Sequence, residues 1–284
     1  MNLFADRLAE AVRQRGLLCV GIDPRFDMLP VAYQKFAPAV AIEAFSLKVL
    51  ELVRPFSGVV KPQAAFFELL GPDGMAAMQA VLKRAMELGF VTILDAKRGD
   101  IASTATAYAE AAFSQSVWNA DALTVNPYLG QDAVEPFIVT ARRSTPTRGL
   151  FVLVRTSNPG GGLFQNALAD GLPLYRRVAM EVNSWNEGGL GECGLGDVGA
   201  VVGATHPKEL AELRTAMPNV WFLIPGYGAQ GGTADDVRAG ILPSSLGAVV
   251  NSSRGVVFPF QPNDSDWETK IIDAAKKAQA ELRG

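Results

Sequence analysis

Residues 94–110, LDAKRGDIASTATAYAE, place two carboxylates and an ammonium close together: Asp95, Lys97 and Asp100. Asp95 closes a β-branched apolar run, and side chains two apart along an extended chain point the same way. Asp95 and Lys97 are therefore expected to meet. Asp100 precedes a helix expected to begin near Ile101, with Ser103, Thr104 and Thr106 in its first turns. Taken singly, these residues have ordinary explanations: a strand-end Asp, a surface Lys and a helix-capping Asp. Taken together, an ammonium beside carboxylates can deliver a proton and stabilise a developing negative charge.

The sole histidine, His206, lies in GATHPKEL before an expected helix and reads as a helix-start residue. With one His, neither a Ser-His-Asp relay through another position nor a two-His zinc site can be built. Cys19 and Cys193 give no disulfide framework and no metal-ligand spacing, which fits a reducing cytoplasm. Any chemistry falls to Lys, Asp, Glu, Ser, Arg or backbone groups, with no metal site expected.

Stepping along the 284 residues, short apolar runs alternate with amphipathic stretches. The runs are 17–22, 58–61, 90–95 and 122–126, then 150–155, 198–203, 220–224 and 247–251. Near-continuous apolar runs suit parallel strands buried on both faces. Eight of them alternating with helices predict an α/β fold, a single-domain (β/α)8 TIM barrel. A doubly wound open sheet is the alternative, but GIDPRF after the first run is not a dinucleotide fingerprint. Residues 159–197, glycine-rich at both ends with a helical middle, read as an enlarged loop-helix connection after the fifth strand rather than a second domain.

Composition narrows the partners. Lys and Arg number 26 against 29 Asp and Glu, for a net charge of −3, and 49% of residues are hydrophobic. A large core is possible, and no basic stripe points to nucleic acid or a membrane surface. No run reaches the length of a membrane span. The N-terminal MNLFADRLAEAVRQRG reads as an amphipathic helix and not a signal peptide.

A TIM barrel carries its site where its strands end. The residues there are Asp23, Lys61, Asp95 with Lys97 and Asp100, Asn126, Thr156 with Ser157, Pro225-Gly226, and Asn251 through Arg254. Buried charge is costly unless paired. Asp23, Lys61, Asp95 and Lys97 around one barrel mouth therefore point to a site rather than to stability alone.

GIDPR, VVKPQAAFFE, DAKRGDI, RTSNPG, PGYGAQGG and NSSRG, in this order and each after its strand, strongly resemble the orotidine 5′-phosphate decarboxylase family. The resemblance spans nearly the whole chain and is similar to the longer bacterial branch. D-x-K-x-x-D alone is shared with a wider superfamily; the six segments together are specific.

The resemblance implies decarboxylation of orotidine 5′-monophosphate (OMP) to UMP, the last step of pyrimidine nucleotide synthesis, without cofactor. It implies Lys97 as proton donor to C6, Asp95 beside the substrate carboxylate, and Lys61 bridging Asp95 and the ribose. Asp100 would complete the array from the neighbouring subunit of a homodimer, with Ile101 and Thr104 crossing the interface. Asp23 would bind ribose, Ser157 the pyrimidine edge, and Gln230, Arg254 and the Gly255 N–H the phosphate. Asn126 is expected either to contact substrate or to cap the next turn.

Two rivals remain at this level. The sugar-phosphate branch of the superfamily shares D-x-K-x-x-D but uses Mg²⁺ and places an acidic residue where Lys61 stands. A phosphate-binding barrel without catalysis would keep the scaffold, although the intact charged set argues against it.

Overall fold

Each apolar run becomes a strand, and the reason is visible in its burial. β1 (Leu18–Ile22), β2 (Val59–Pro62) and β4 (Ala122–Val125) are buried at every position, as are β6 (Val198–Val202) and β7 (Phe222–Ile224). β3 (Val91–Arg98), β5 (Gly149–Arg155) and β8 (Ala248–Ser252) lose burial only toward their C-terminal ends. Alternating polar residues would have placed unpaired groups in the core or against the surrounding helices. The computed structural model describes residues 3–228 and 231–283.

The strands close in the order β1-β8-β7-β6-β5-β4-β3-β2, all parallel. Cys19 of β1 is in register with both Val59 of β2 and Asn251 of β8. Every strand of the sheet pairs on both sides, so it has no edge, as an open doubly wound sheet would; the chain is an α/β TIM barrel. The surrounding helices bury one stripe each. In the helix Gly71–Glu87, for example, Ala77, Met78, Val81, Leu82 and Ala85 face inward at helical spacing.

The N-terminal helix Phe4–Arg15 closes one end of the barrel. Phe4 lies so close to the first residue of β5 that a Cβ on Gly149 would stand 2.2 Å from its ring. Arg7 and Arg148 each donate to Asp121 Oδ1 at 2.7 Å, while Thr92 donates through N–H and hydroxyl to Oδ2. This plug leaves the opposite mouth, where the strands end, for a ligand.

Between β5 and β6 the chain forms a short helix (Gly162–Gln165), an antiparallel pair (Leu168–Ala169 with Leu172–Pro173) and a longer helix (Leu174–Trp185). It is tied back where it returns: Arg142 grips both oxygens of Asp197 at 2.8 Å, and Asp6 accepts the Cys193 N–H at 2.8 Å. His206 precedes the helix Pro207–Ala216 as its N-terminal flanking residue, half-buried.

Candidate active site

The mouth holds a cavity of about 590 Å³ whose wall includes Asp23, Lys61, Asp95, Lys97, Ser157 and Arg254. That volume lies in the range of small-molecule sites.

Asp95 stands at its centre. Lys61 Nζ donates to Oδ2 at 2.7 Å and Lys97 Nζ to Oδ1 at 2.6 Å. Gln63 Nε2 adds a bond to Oδ2 at 2.9 Å, and Thr124 Oγ1 one to Oδ1 at 2.9 Å. A carboxylate has about four lone-pair sites, and here each oxygen accepts two donors. The two lysines differ in one decisive way: the Lys61 side chain is 6% exposed and that of Lys97 is 48% exposed. Lys61 is a fixed counter-ion; Lys97 reaches into the open cavity.

Burial by itself works against both charges of the inner pair. For Lys61, the carboxylates of Asp95 and Asp23 outweigh burial and hold the ammonium above the ordinary lysine range. For Asp95, the Lys61 and Lys97 charges and their hydrogen bonds outweigh burial and hold the carboxyl well below the ordinary range. Cys19 lies in the same electrostatic neighbourhood. Burial pushes its thiol up to about 12, so it stays protonated and is no nucleophile.

The meeting of Lys97 with Asp95 has a different cause from the one the spacing suggested. The expected strand end at Asp95 is overrun: β3 continues to Arg98 through a bulge. Leu94 pairs with Leu123 and Arg98 with Val125, so three residues of β3 face Thr124 alone. Lys97 has φ 48°, not an extended value. Within the bulge, the N–H groups of Ala96 and Lys97 both donate to Thr124 Oγ1, at 3.0 and 2.9 Å. The side chains share a side because the backbone turns back, not because the strand alternates.

Across the cavity, Asp23 Oδ1 and Asn251 Oδ1 are buried acceptors without a hydrogen-bond partner. Asn251 Nδ2 is used on Ser253 Oγ at 3.2 Å. Gly21 makes room for this pair, since a Cβ there would stand 1.9 Å from Ser253 Oγ. Two orphan acceptors facing a cavity are suited to hydroxyl or N–H donors of a ligand.

Ser157 follows β5 and lies against Gly203, where a Cβ would come 2.9 Å from it. Gln165 secures the preceding residue, accepting the Thr156 N–H at 3.1 Å and donating to its hydroxyl at 2.7 Å. Arg254 opens the short helix after β8 and lines the cavity; Gly255, beside it, faces an adjoining groove. Gln230 lies outside the described residues. The loop that leads to it is closed at its base, with Gly228 N–H donating to Gly232 O and Gly232 N–H to Gly226 O. Tyr227 Oη hydrogen-bonds Glu281 on the C-terminal helix Trp267–Arg283.

Besides Gly255, four expected site residues fall outside the cavity wall of their own barrel: Asp100, Ile101, Thr104 and Asn126. Asp100 accepts the Ile101 N–H at 2.8 Å just before the helix Ala102–Phe113. Ile101 and Thr104 are exposed, as are the side chains of Tyr108, Tyr128 and Leu129. Asn126 Oδ1 accepts the Tyr128 N–H at 3.0 Å, which is the turn-capping arrangement.

The structure adds residues that strand-end reading passed over. Gln63 and Thr124 touch Asp95, and Arg25 lines the mouth with its guanidinium 5.7 Å from the Phe66 ring centre. Among the described residues no group of three or more His, Cys, Asp or Glu converges as a metal site. The arrangement can bind an anion at Arg254, hydrogen-bond a polar ligand through Asp23, Asn251 and Ser157, and offer a lysine ammonium as acid.

Comparison with known proteins agrees over nearly the full chain. The family model described as "Orotidine 5'-phosphate decarboxylase / HUMPS family" matches residues 16–258. An orotidine 5'-phosphate decarboxylase of Rhodopirellula baltica is 44% identical, with 100% of both chains covered. One from Roseiflexus castenholzii is 42% identical over 100% of this chain and 96% of its own. The solved structure of Leishmania donovani OMP decarboxylase is similar at TM-score 0.80 and 36% identity, covering 99% of this chain and 97% of that one.

Proposed function

This chain belongs to the orotidine 5'-phosphate decarboxylase / HUMPS family, and from that membership and its charged mouth we propose that it decarboxylates OMP to UMP and CO₂. The observation that carries the reading is Asp95 held ionised between two lysines of unequal exposure.

Loss of CO₂ from C6 of the pyrimidine leaves an electron pair in the plane of the ring, where the π system cannot spread it. The site must stabilise that pair and then protonate it. Enzymes lower barriers by up to about 23 kcal/mol in ordinary cases, and preorganised charge is usually the largest single contribution. Lys97 supplies both needs: its ammonium faces the developing carbanion and then gives C6 its proton. Asp95 keeps Lys97 protonated and aimed, and its charge lies beside the departing carboxylate. Lys61 compensates Asp95 and reaches toward the ribose. Asp23 receives ribose hydroxyls, Ser157 the pyrimidine amide edge, and Arg254 with Gln230 and Gly255 the phosphate.

The chemistry requires no cofactor. A divalent cation acting on Asp95, as in the sugar-phosphate branch, would face two ammonium groups already bonded to both of its oxygens. That donor set favours the decarboxylase reading within the family.

Asp100, Ile101 and Thr104 complete the site of a second copy in a homodimer with two shared sites. Supporting this, they stand outside the wall of their own cavity, and Ile101 and Thr104 are exposed. Residues 159–197 are an enlarged connection of the single barrel domain. The proposal sets the enzyme in the cytoplasm, where its free Cys19 and Cys193 stay reduced; no helix of the described residues is long and apolar enough to cross a membrane.

The test is product analysis. OMP incubated with the protein and excess EDTA should yield equal amounts of UMP and CO₂. Turnover that needs Mg²⁺, or acts only on a sugar phosphate, would reject the assignment.

A further inference from the structure

We propose that Thr124 is a positioning residue of the reaction, its hydroxyl holding the β3 bulge that sets Lys97 beside Asp95. The inference rests on the decarboxylase reading for its kinetic consequence, but its structural content stands apart from it.

Thr124 is 1% exposed and lies in the middle of β4, where an apolar residue would suit the core. A hydroxyl offers one proton and two lone pairs. Both lone pairs are taken by the N–H groups of Ala96 and Lys97, so the proton must go to Asp95 Oδ1, 2.9 Å away. Every bonding capacity of this oxygen is thus spent on three consecutive residues, and two of those three are the charged centre of the site.

The backbone there needs holding. Lys97 is a non-glycine residue at φ 48°, in the left-handed region that is disfavoured for an L-residue. Such strain persists only where surroundings impose it. Without the hydroxyl, two N–H groups lose their acceptor, and β4 holds β3 only at the flanks of the bulge, at Leu94 and Arg98. Lys61 of β2 and Gln63 just after it still grip Oδ2, so the Thr124 side of Asp95 is the one that loses its anchor. Lys97, half exposed and on the outer edge of the bulge, is the group released.

The experiment compares Thr124→Val, which keeps shape and removes the hydroxyl, with Thr124→Ser, which keeps the hydroxyl. Misplacement of a catalytic group by about 1 Å costs on the order of 100-fold, so T124V should lose about that much in kcat while KM and UMP affinity stay near wild type. T124S should retain kcat. Crystal structures should show Lys97 out of the left-handed region in T124V and unchanged in T124S. Wild-type kcat in T124V, or T124S as impaired as T124V, would overturn the proposal. So would loss of UMP binding in step with kcat, the mark of general disruption. Should T124V fail to fold, T124S decides through its kcat alone. If the wild-type protein does not act on OMP, the functional reading falls, and the Lys97 backbone in the variants still tests the role of Thr124.

Discussion

Asp95 and Lys97 are two residues apart and bonded at 2.6 Å, yet the chain between them is not extended: Lys97 sits at φ 48° in a bulge bridged by Thr124. The charged centre is therefore a product of strand pairing as much as of the D-x-K spacing. Lys61 Nζ completes it from β2, in a position where removal of either partner leaves a charge without compensation.

Lys61→Met and Asp95→Leu should each destabilise the protein by about 3–5 kcal/mol, the usual cost of stranding one member of a buried pair. Replacing both partners, as in Lys61→Met with Asp95→Leu, should recover much of that loss because no buried charge remains. Urea denaturation of the four proteins would check this double-mutant cycle. A double variant as unstable as the sum of the singles would contradict the pairing account.

Stability should also depend on pH through Asp95. Its carboxyl is held well below the ordinary 3.8 in the folded protein, so its contribution is fully present above that ordinary value. The contribution declines as acid carries the pH below 3.8 toward the depressed folded value. Lys61, raised above 10.5 when folded, contributes fully below that value and loses its contribution only as alkali carries the pH upward. The stability gap between wild type and Asp95→Asn should be flat near neutrality and narrow on acidification below the ordinary carboxylate range. A gap that widens with acid would show the sign to be wrong.

Asn251 Oδ1 has no partner without ligand. Asn251→Ala should leave the melting temperature near wild type and weaken UMP binding by about 0.5–1.5 kcal/mol, the net worth of one hydrogen bond. Calorimetric titration with UMP measures it directly. Unchanged affinity would remove Asn251 from the ligand site.

Arg254→Ala should lose far more in kcat/KM than in kcat. Phosphate binding is expected to draw the loop after β7 over the ligand, so that energy from a non-reacting group helps assemble the charged site. Steady-state kinetics with OMP separate the two constants, and an equal loss in both would speak against loop closure.

The shared-site proposal has its own test. Lys97→Ala and Asp100→Ala are each expected to be inactive, but mixing subunits reassembles one intact site per hybrid dimer. Random re-association at equal amounts should restore about a quarter of wild-type activity. No recovery after verified subunit exchange would place Asp100 outside the site.

Much of the barrel was legible because buried parallel strands leave unbroken β-branched runs such as Val198–Val202, and because a strand's end fixes which side chains reach the mouth. Asp23, Lys61, Asp95, Lys97, Ser157 and Arg254 were found that way, and all line one cavity. The bulge was not legible. It depends on Thr124 from the next strand, and a lone Thr in ALTV reads as an ordinary β-branched core residue. Gln63 is illegible for a related cause: it reads as an ordinary polar residue after β2 until Asp95 stands beside it, while Asn251 is placed at a strand end by sequence but its partnerless acceptor is not. The two-residue pairing of Leu168–Ala169 with Leu172–Pro173 is too short to leave any periodic signal.

Everything turns on whether the Lys97 ammonium, held by Asp95, gives C6 of the pyrimidine its proton. The most direct measurement follows the ultraviolet absorbance of OMP after mixing with the wild-type protein and with Lys97→Ala, both in EDTA and both shown to bind UMP. A loss of absorbance with wild type and none with K97A is the expected result; equal rates for the two proteins, or no change with wild type, would contradict it.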